Sequence, residues 1–582
     1  MRNLTTERQK CVNSIKTLIY AARVAALRFT WPLIAAGVAS FLLCFSISFS
    51  ESLDGNRLLT AISTLTLLMV SFLALDLYAE ARSLNKLFLP ISRAILLLAA
   101  ALYWIFIPEY ESEIIRYVLL SLAAHLLISF APFSLSDKDA DFWSFNRSIF
   151  VRILASVFFS TVLANGIALG FLAITALLGI DVPGSAYAYI YVLSHGIFNT
   201  WFFLYGIPSQ FQNISEQKQK LILQFAQFIL FPLVTMYLAI LYIYISISFT
   251  GLEWPKLKLT WLVAAFSAPG ILCFLLLFPF QLEEKSTWII KARKYFFIAL
   301  LPLSLVMLIS VYLRVSVYGF TELMYIASAA GLWLSGISLY FIFYENPVLQ
   351  MIPRSLALIL LLISWGPWGA LNVARYSQSK ILTGLLEKHN LIDKESGKLI
   401  IPEPAKAPAK ITEPEIIRKV EYLTEHFGIE SIIDLFPMQN SVSRPTSTQE
   451  AVYFFTNDLN IESENQNSVY YDFFLERTGG TDYIFTIRDF SKMREFNIYN
   501  EKTLMITPEI ENEKCNNVDL SAYINNLIES RKETDSDSLL QKNSVLKCRT
   551  QTRTITIQFK RIAVSIEDDK KILSAADGYY FY

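Results

Sequence analysis

Charged residues are scarce in this sequence, and the residues that support chemistry are scattered. Only 17% of the 582 residues are Asp, Glu, Lys or Arg, against about 25% in soluble proteins. The five cysteines and four histidines include no Cys-x-x-Cys pair and no metal-ligand spacing. A Walker A loop, an H-E-x-x-H helix and a G-x-S-x-G turn are also absent. The sequence therefore predicts no catalytic residue, no cofactor and no metal.

The few charges are unevenly divided. The chain has 50 basic and 50 acidic residues, but residues 401–582 contain 21 basic and 29 acidic ones. The tail is therefore acidic and the rest is basic. Nucleic-acid binding requires a clustered basic face, so no nucleic-acid partner is expected.

Apolar residues are abundant instead, at 54% of the chain with a mean hydropathy of +0.42. They lie before about residue 380 in runs of the roughly 20 residues that cross a bilayer. The pattern predicts a polytopic α-helical membrane bundle, with the lipid bilayer as its partner. We expect 11 transmembrane helices, at approximately 29–50, 58–78, 92–108, 114–134, 149–179, 186–207, 221–249, 260–280, 295–314, 322–344 and 353–375.

Composition divides the chain into four parts. Residues 1–28 form a basic cytoplasmic or interfacial segment, followed by the transmembrane domain, 29–380. The apolar run after residue 28 exceeds the 7–15 residues of a signal-peptide core, which favours an uncleaved first span. Residues 381–413 form a polar and Pro-rich linker. Residues 414–582, with helical and then β-branched patterns, predict an α+β soluble domain.

The distribution of cations predicts the orientation. With the N-terminus cytoplasmic, about 18 Lys and Arg residues fall in inner segments and about four in outer ones. An odd number of spans then puts the C-terminal domain outside, in the periplasm of a Gram-negative cell. There it has access to periplasmic or envelope partners. Cys515 and Cys548 either pair as a disulfide in that compartment or remain two separate thiols.

Two groups of residues are candidates for a functional or structural polar cluster. His195 and Asn199 share one helix face inside a span, where a hydrogen-bonded histidine is commoner than a proton relay. Arg314 and Glu322 lie on either side of a turn and either pair with each other or leave Arg314 to hold an anion. The remaining candidates are Tyr318, Gly319, Thr321, Gly366, Pro367 and Trp368. We interpret Pro367 as a mid-span break in the last helix, either a packing kink or part of a binding site.

These residues also carry a resemblance. Tyr318-Gly319-Phe320-Thr321-Glu322, Ile352-Pro353-Arg354-Ser355-Leu356-Ala357, Gly366-Pro367-Trp368-Gly369-Ala370 and Ser377-Gln378 resemble the bacterial family of domain of unknown function 4153. The similarity covers about 25–400, with a fainter match near Tyr422–Gly428. Ala374-Arg375 departs from it where a serine is expected. The resemblance implies a multi-pass inner-membrane protein of the Gram-negative envelope and implies no activity.

The leading functional hypothesis is a non-catalytic bundle that anchors a periplasmic interaction domain. A transporter or lipid flippase that uses the kinked last span is the alternative. A lipid-linked glycosyltransferase is a third hypothesis. It requires acidic residues in a sizeable first outer loop, where this chain has only Glu51 and Asp54 in a short segment.

Overall fold

A computed structural model describes most of the membrane part of the chain. The described residues are 23–48, 55–84, 87–108, 110, 112–211, 224–250, 257–281, 287–393, 395–400, 411, 413–437, 445–459, 461 and the strand segments between 468 and 581. Most of the predicted N-terminal segment, the Pro-rich spacer and Cys515 lie outside them, as does the side chain of Cys548.

The predicted apolar runs form helices, because a chain in hydrocarbon must satisfy its backbone polar groups internally. The helices before residue 282 are α1 Thr30–Ser48, α2 Gly55–Arg82, α3 Phe88–Phe106, α4 Glu113–Phe130, α5 Asp139–Leu178, α6 Gly184–Leu193, α7 Asn199–Tyr205, α8 Phe231–Thr250, α9 Leu257–Leu276 and α10 Phe278–Gln281. Single π turns, Ser194–Phe198 and Ala226–Leu230, precede α7 and α8.

The later helices begin with the long hairpin that dominates the second half of the bundle. They are α11 Thr287–Tyr318, α12 Glu322–Phe343, α13 Met351–Ser364, α14 Ala370–Lys388, α15 Glu415–Phe427 and α16 Thr448–Tyr453. The turns Ile429–Ser431 and Ile433–Leu435 follow α15, and the π turn Phe454–Asp458 follows α16.

Nine helices among the described residues are long and apolar enough to cross a membrane, whereas the sequence predicted 11 transmembrane helices. Two further predicted spans correspond to interrupted or short helices. Residues 184–205 contain the π turn between α6 and α7, and α13 has only 14 residues. Fourteen residues rise about 21 Å, less than the roughly 30 Å of a hydrocarbon core. The predicted eleventh span, 353–375, is therefore wrong as one continuous helix.

Aromatic and aliphatic side chains of neighbouring helices fill the bundle core. Phe297 of α11 stacks on Phe341 of α12 with ring centroids 4.5 Å apart. Leu300 and Leu303 are fully buried in the same cluster. Helices α11 and α12, α1 and α2, and α4 and α13 pack as neighbouring pairs. This packing holds the ends of α4, α12 and α13 in place.

Arginines from predicted cytoplasmic segments gather at one end of the bundle. Arg28 forms an ion pair with Glu80 at 2.9 Å and donates to the carbonyl of Ile207. Arg82, at the end of α2, donates to the carbonyl of Ala131. Asp139 accepts a hydrogen bond from the Leu349 backbone N–H at the same end. The predicted inner cations therefore bind loop backbone as well as carboxylates.

The chain divides into two compact units, 1–401 with 418–452, and 402–417 with 453–582. The described residues 418–437 and 445–452 thus belong to the same compact unit as the bundle, whereas the predicted boundary placed them with the tail. In the second unit the backbone forms β1 Ser468–Asp472, β2 Arg494–Glu501, β3 Met505–Ile506, β4 Glu509–Ile510, β5 Glu513–Lys514, β6 Val518–Asp519, β7 Val545–Arg549, β8 Thr554–Glu567 and β9 Lys570–Phe581.

The longest of these strands pair antiparallel in the order β1-β8-β9-β2, and β7 also pairs with β8. These strands are described by their backbone alone, since the described side chains end at residue 461. A folded domain is defined by a core of buried side chains. The part of the chain with described side chains is helical, so the α+β tail domain stays a prediction.

Candidate functional site

The site is built on the start of helix α12, which its own sequence positions. Gly319 adopts a φ of +76°, a left-handed conformation that glycine takes without the Cβ penalty. Thr321 caps the helix, because its side chain accepts a hydrogen bond from the Met324 backbone N–H at 3.4 Å. Glu322 is then the first helical residue, where the helix dipole favours a negative charge.

Helix α14 satisfies the backbone of the turn before Glu322. The Phe320 N–H donates to the hydroxyl of Ser377 at 2.9 Å. The amide Nε2 of Gln378 donates to the carbonyls of Tyr318 and Phe320, at 3.0 and 2.8 Å. Gln378 is only 1% exposed, so these bonds form away from water, where an unmade bond is expensive. The turn is therefore held rigidly.

Helix α15 follows the linker and returns to the bundle to cover Glu322. The Tyr422 hydroxyl donates to Glu322 Oε2 at 2.5 Å, and His426 Nδ1 lies 3.3 Å from Glu322 Oε1. The Glu322 side chain is 3% exposed. Burial, and then the charge and hydrogen bond of Glu322, raise the pKa of Tyr422. Tyr422 thus stays a hydrogen-bond donor to a buried acid.

The apolar face of the returning segment is also buried. Val420, Leu423, Ile432 and Phe436 are each fully buried. Lys419 Nζ donates to Gln378 Oε1 at 2.7 Å, which links α15 to α14. We call Glu322, Gln378, Lys419, Tyr422 and His426 the docking cluster.

The loop before α4 contributes a second set of contacts to the returning segment. The Tyr110 hydroxyl donates to Glu430 Oε2 at 2.7 Å, and the Ser112 hydroxyl donates to the His426 carbonyl. Burial and the neighbouring Glu430 raise the pKa of Tyr110 to about 12. Arg375 of α14 approaches the Glu430 carbonyl at 3.4 Å. The starts of α4, α12 and α14 therefore hold one segment between them.

Tyr318, Gly319, Thr321 and Glu322 lie at the connection between α11 and α12, and Arg314 does not contact Glu322 there. The Arg314 guanidinium lies over the Tyr318 ring, 5.2 Å from its centroid, which is a cation–π geometry. The Glu322 carboxylate binds Tyr422 and His426 instead. The hypothesis of an Arg314–Glu322 pair is therefore not supported by the observed contacts.

Gly366, Pro367 and Trp368 connect two helices instead of interrupting one. Helix α13 ends at Ser364, α14 begins at Ala370, and Gly366 has a φ of +82°. Tyr325 of α12 donates to the Trp368 carbonyl at 2.7 Å, while the Trp368 side chain is 57% exposed. The prediction of a kink inside one continuous span is therefore wrong. Glycine and proline end the helix here, because glycine is flexible in a helix and proline lacks the backbone N–H that the helical hydrogen bonds require.

His195 and Asn199 form a separate polar group within the bundle. His195 Nε2 lies 3.2 Å from the Thr161 hydroxyl of α5, and Asn199 Oδ1 accepts from the Ser160 hydroxyl at 3.3 Å. The π turn Ser194–Phe198 carries the histidine. Among the described residues no hydrogen bond or ion pair joins this group to the docking cluster.

Sequence reasoning missed Tyr422 and His426 as partners of Glu322 and Lys419 as a partner of Gln378. A signal was present, since apolar residues at 416, 417, 420, 423 and 427 lie on one face of α15. An apolar helix face predicts that α15 packs against another part of the protein, but the periodicity does not identify which part. Within the described residues no group of three or more His, Cys, Asp or Glu side chains is arranged to hold a metal.

The fold and this site define a multi-pass α-helical membrane protein whose chain returns to the bundle after its last apolar helix. The chain belongs to the family described as Domain of unknown function (DUF4153), whose model matches residues 35–393. This confirms the resemblance seen in the sequence. No curated protein and no solved structure matches the chain.

Proposed function

We propose that the protein is a non-catalytic anchor in the bacterial inner membrane that presents a periplasmic C-terminal domain to an envelope partner. The observation that carries this proposal is the docking of α15 on the buried Glu322. A flexible stalk would leave the chain free after the linker. The docking cluster instead fixes residues 418–436 on the bundle, immediately before the tail.

The charge distribution supports the periplasmic placement. About 18 cations fall in segments on one side and about four on the other, a bias that orients membrane proteins with the cations inside. Arg28, Arg82 and Arg354 lie at one end of the bundle, and Glu322 begins its helix at the other. Both observations support an outer position for the docking cluster.

The proposal is tested in cells with the full-length chain. Alkaline phosphatase, which is active only in the periplasm, is fused after Tyr582 and compared with a green fluorescent protein fusion. Partners are then captured by crosslinking from the tail, in wild type and in a Tyr422→Phe variant. We expect an active phosphatase, a reproducible crosslinked partner and weaker capture by the variant. An inactive phosphatase, or a tail that captures nothing above the level of a tail-deleted chain, contradicts the anchor.

A second candidate function is transport of a solute or lipid, favoured by the polar group around His195. A π turn within a membrane helix often marks a functional site, and polar side chains within spans commonly line substrate paths. If this function is correct, purified His195→Phe protein in vesicles should transport the solute or lipid more slowly than wild type, because the variant lacks the imidazole. Equal rates in the variant and in wild type would exclude a role for His195 in transport.

A further inference from the structure

Two arginines converge at the end of the bundle opposite to the docking cluster. Arg82 Nη2, at the end of α2, donates to the carbonyl of Phe133 at 3.2 Å. Arg354 Nη2, in the first turn of α13, donates to the same carbonyl at 2.7 Å and to Gln350 Oε1 at 2.8 Å. The two guanidinium groups repel each other because both are positively charged. The carbonyl oxygen that they share carries only a partial negative charge, so it does not neutralise them.

No carboxylate in the described part of the chain forms an ion pair with either arginine. Asp137 is the acid whose charge reaches Arg354. Its Oδ2, however, accepts hydrogen bonds from the Ser134 N–H and hydroxyl at 2.7 and 3.0 Å. The pair of guanidinium groups therefore lacks a bonded counterion of its own.

Buried donors beside the arginines have no partner. Gln350 is fully buried, and its Nε2 makes no hydrogen bond within the described structure. Arg354 Nε is likewise buried without a partner. Buried donors in proteins are nearly always satisfied, and each exception calls for an explanation. Gln350 Nε2 and Arg354 Nε are both donors, so the partner that would satisfy them must be a hydrogen-bond acceptor.

We propose that Arg82, Gln350 and Arg354 bind a phosphate group, carried by the headgroup of an anionic phospholipid. Arginine forks match the oxygens of phosphate, and their bonds to it are charge-assisted. Arg82 is the last residue of an apolar span and Arg354 lies in the first turn of α13. Lipid headgroups border the ends of membrane spans, and basic sites between helices bind such lipids. Arg82 lies 4.0 Å from the Tyr78 ring centroid and Arg354 lies 5.3 Å from that of Phe130, so both guanidinium groups are preorganised.

The experiment uses the full-length protein in nanodiscs of phosphatidylcholine, with or without phosphatidylglycerol. The readouts are the thermal midpoint of unfolding and the number of phosphatidylglycerol molecules that remain bound in native mass spectrometry. Wild type should unfold at a higher temperature with phosphatidylglycerol and keep at least one such lipid. Arg82→Gln and Arg354→Gln should each weaken this binding by about tenfold or more, since each removes a charge-assisted contact.

Arg152→Gln is the matched control, because Arg152 lies beside Gly206 at the same end of the bundle and outside the site. It should respond to phosphatidylglycerol as wild type does. Gln350→Glu tests the site without removing an arginine. Its carboxylate supplies a permanent counterion, so this variant should gain stability in phosphatidylcholine alone and lose the response to phosphatidylglycerol.

Inorganic phosphate added to phosphatidylcholine nanodiscs separates the two sources of the ligand. We expect much less stabilisation from it than from phosphatidylglycerol. Equal stabilisation by inorganic phosphate would overturn the assignment to a lipid. Equal responses of wild type, Arg354→Gln and Gln350→Glu to phosphatidylglycerol would overturn the site itself.

Discussion

Tyr422 donates a 2.5 Å hydrogen bond to Glu322, a residue 100 positions earlier in the chain. The carboxylate is buried, and its other oxygen lies 3.3 Å from His426. A buried charge is tolerated only when it is paired and hydrogen-bonded. Because α15 both covers Glu322 and supplies its partners, removing one partner while the helix stays in place would leave a buried charge incompletely bonded.

Tyr422→Phe should loosen the returning segment without disturbing the bundle. The change removes only the hydroxyl, so its cost is that of one hydrogen bond to a charged group, about 1.5–3 kcal/mol. Limited proteolysis of the detergent-solubilised protein should cut within 401–436 faster than in wild type. Tyr376→Phe is the control, because Tyr376 is 71% exposed. Equal cutting rates in all three proteins would contradict the stabilising role of this bond.

A double-mutant cycle between Glu322→Gln and Tyr422→Phe should show strong coupling. Residues in direct contact typically couple by about 0.5–3 kcal/mol, whereas distant ones are additive. The cycle is measured from the free energy of unfolding of the four proteins in detergent. Pairing Glu322→Gln with Tyr312→Phe, another exposed tyrosine, gives the additive reference. Additivity in the first cycle would mean that the 2.5 Å contact contributes no pairwise energy.

Gly319→Ala should destabilise the turn that precedes Glu322. An alanine with left-handed backbone costs about 1–2 kcal/mol. Its Cβ would also lie 2.3 Å from Ile381 Cδ1 and 2.9 Å from Ser377 Oγ. Gly336→Ala, where nothing lies within 4 Å of the added carbon, should be neutral or stabilising. The thermal midpoints of both variants test this, and a Gly319 variant as stable as wild type would refute it.

Gly196→Ala should push the π turn away from α1. The added Cβ would lie 2.1 Å from Ser40 Oγ and 3.2 Å from Ser40 Cβ. Ser40→Gly in the same chain removes both atoms and should restore most of the lost stability, as measured by the thermal midpoint. Gly166→Ala, on an open face of α5, serves as the control. Failure of Ser40→Gly to rescue the variant would show that the clash is not the cause.

Much of the membrane architecture was predictable because hydrocarbon imposes a simple local rule. An apolar run of about 20 residues must form a helix to satisfy its own backbone. Phe88–Phe106 and Glu322–Phe343 follow this rule and appear where the hydropathy predicted them. The end of α13 at Ser364 was missed, since Gly366 and Pro367 are compatible both with a kink inside a span and with a connection between helices.

The amino-acid sequence by itself determined that this chain is a helical membrane protein with a basic set of loops, because run length and charge are local properties. Only the tertiary structure decided that Glu322 takes its partners from α15 and not from Arg314. It also decided that Arg82 and Arg354 meet at one carbonyl. Periodicity shows which face of a helix must be covered, whereas the covering residues depend on how distant segments pack.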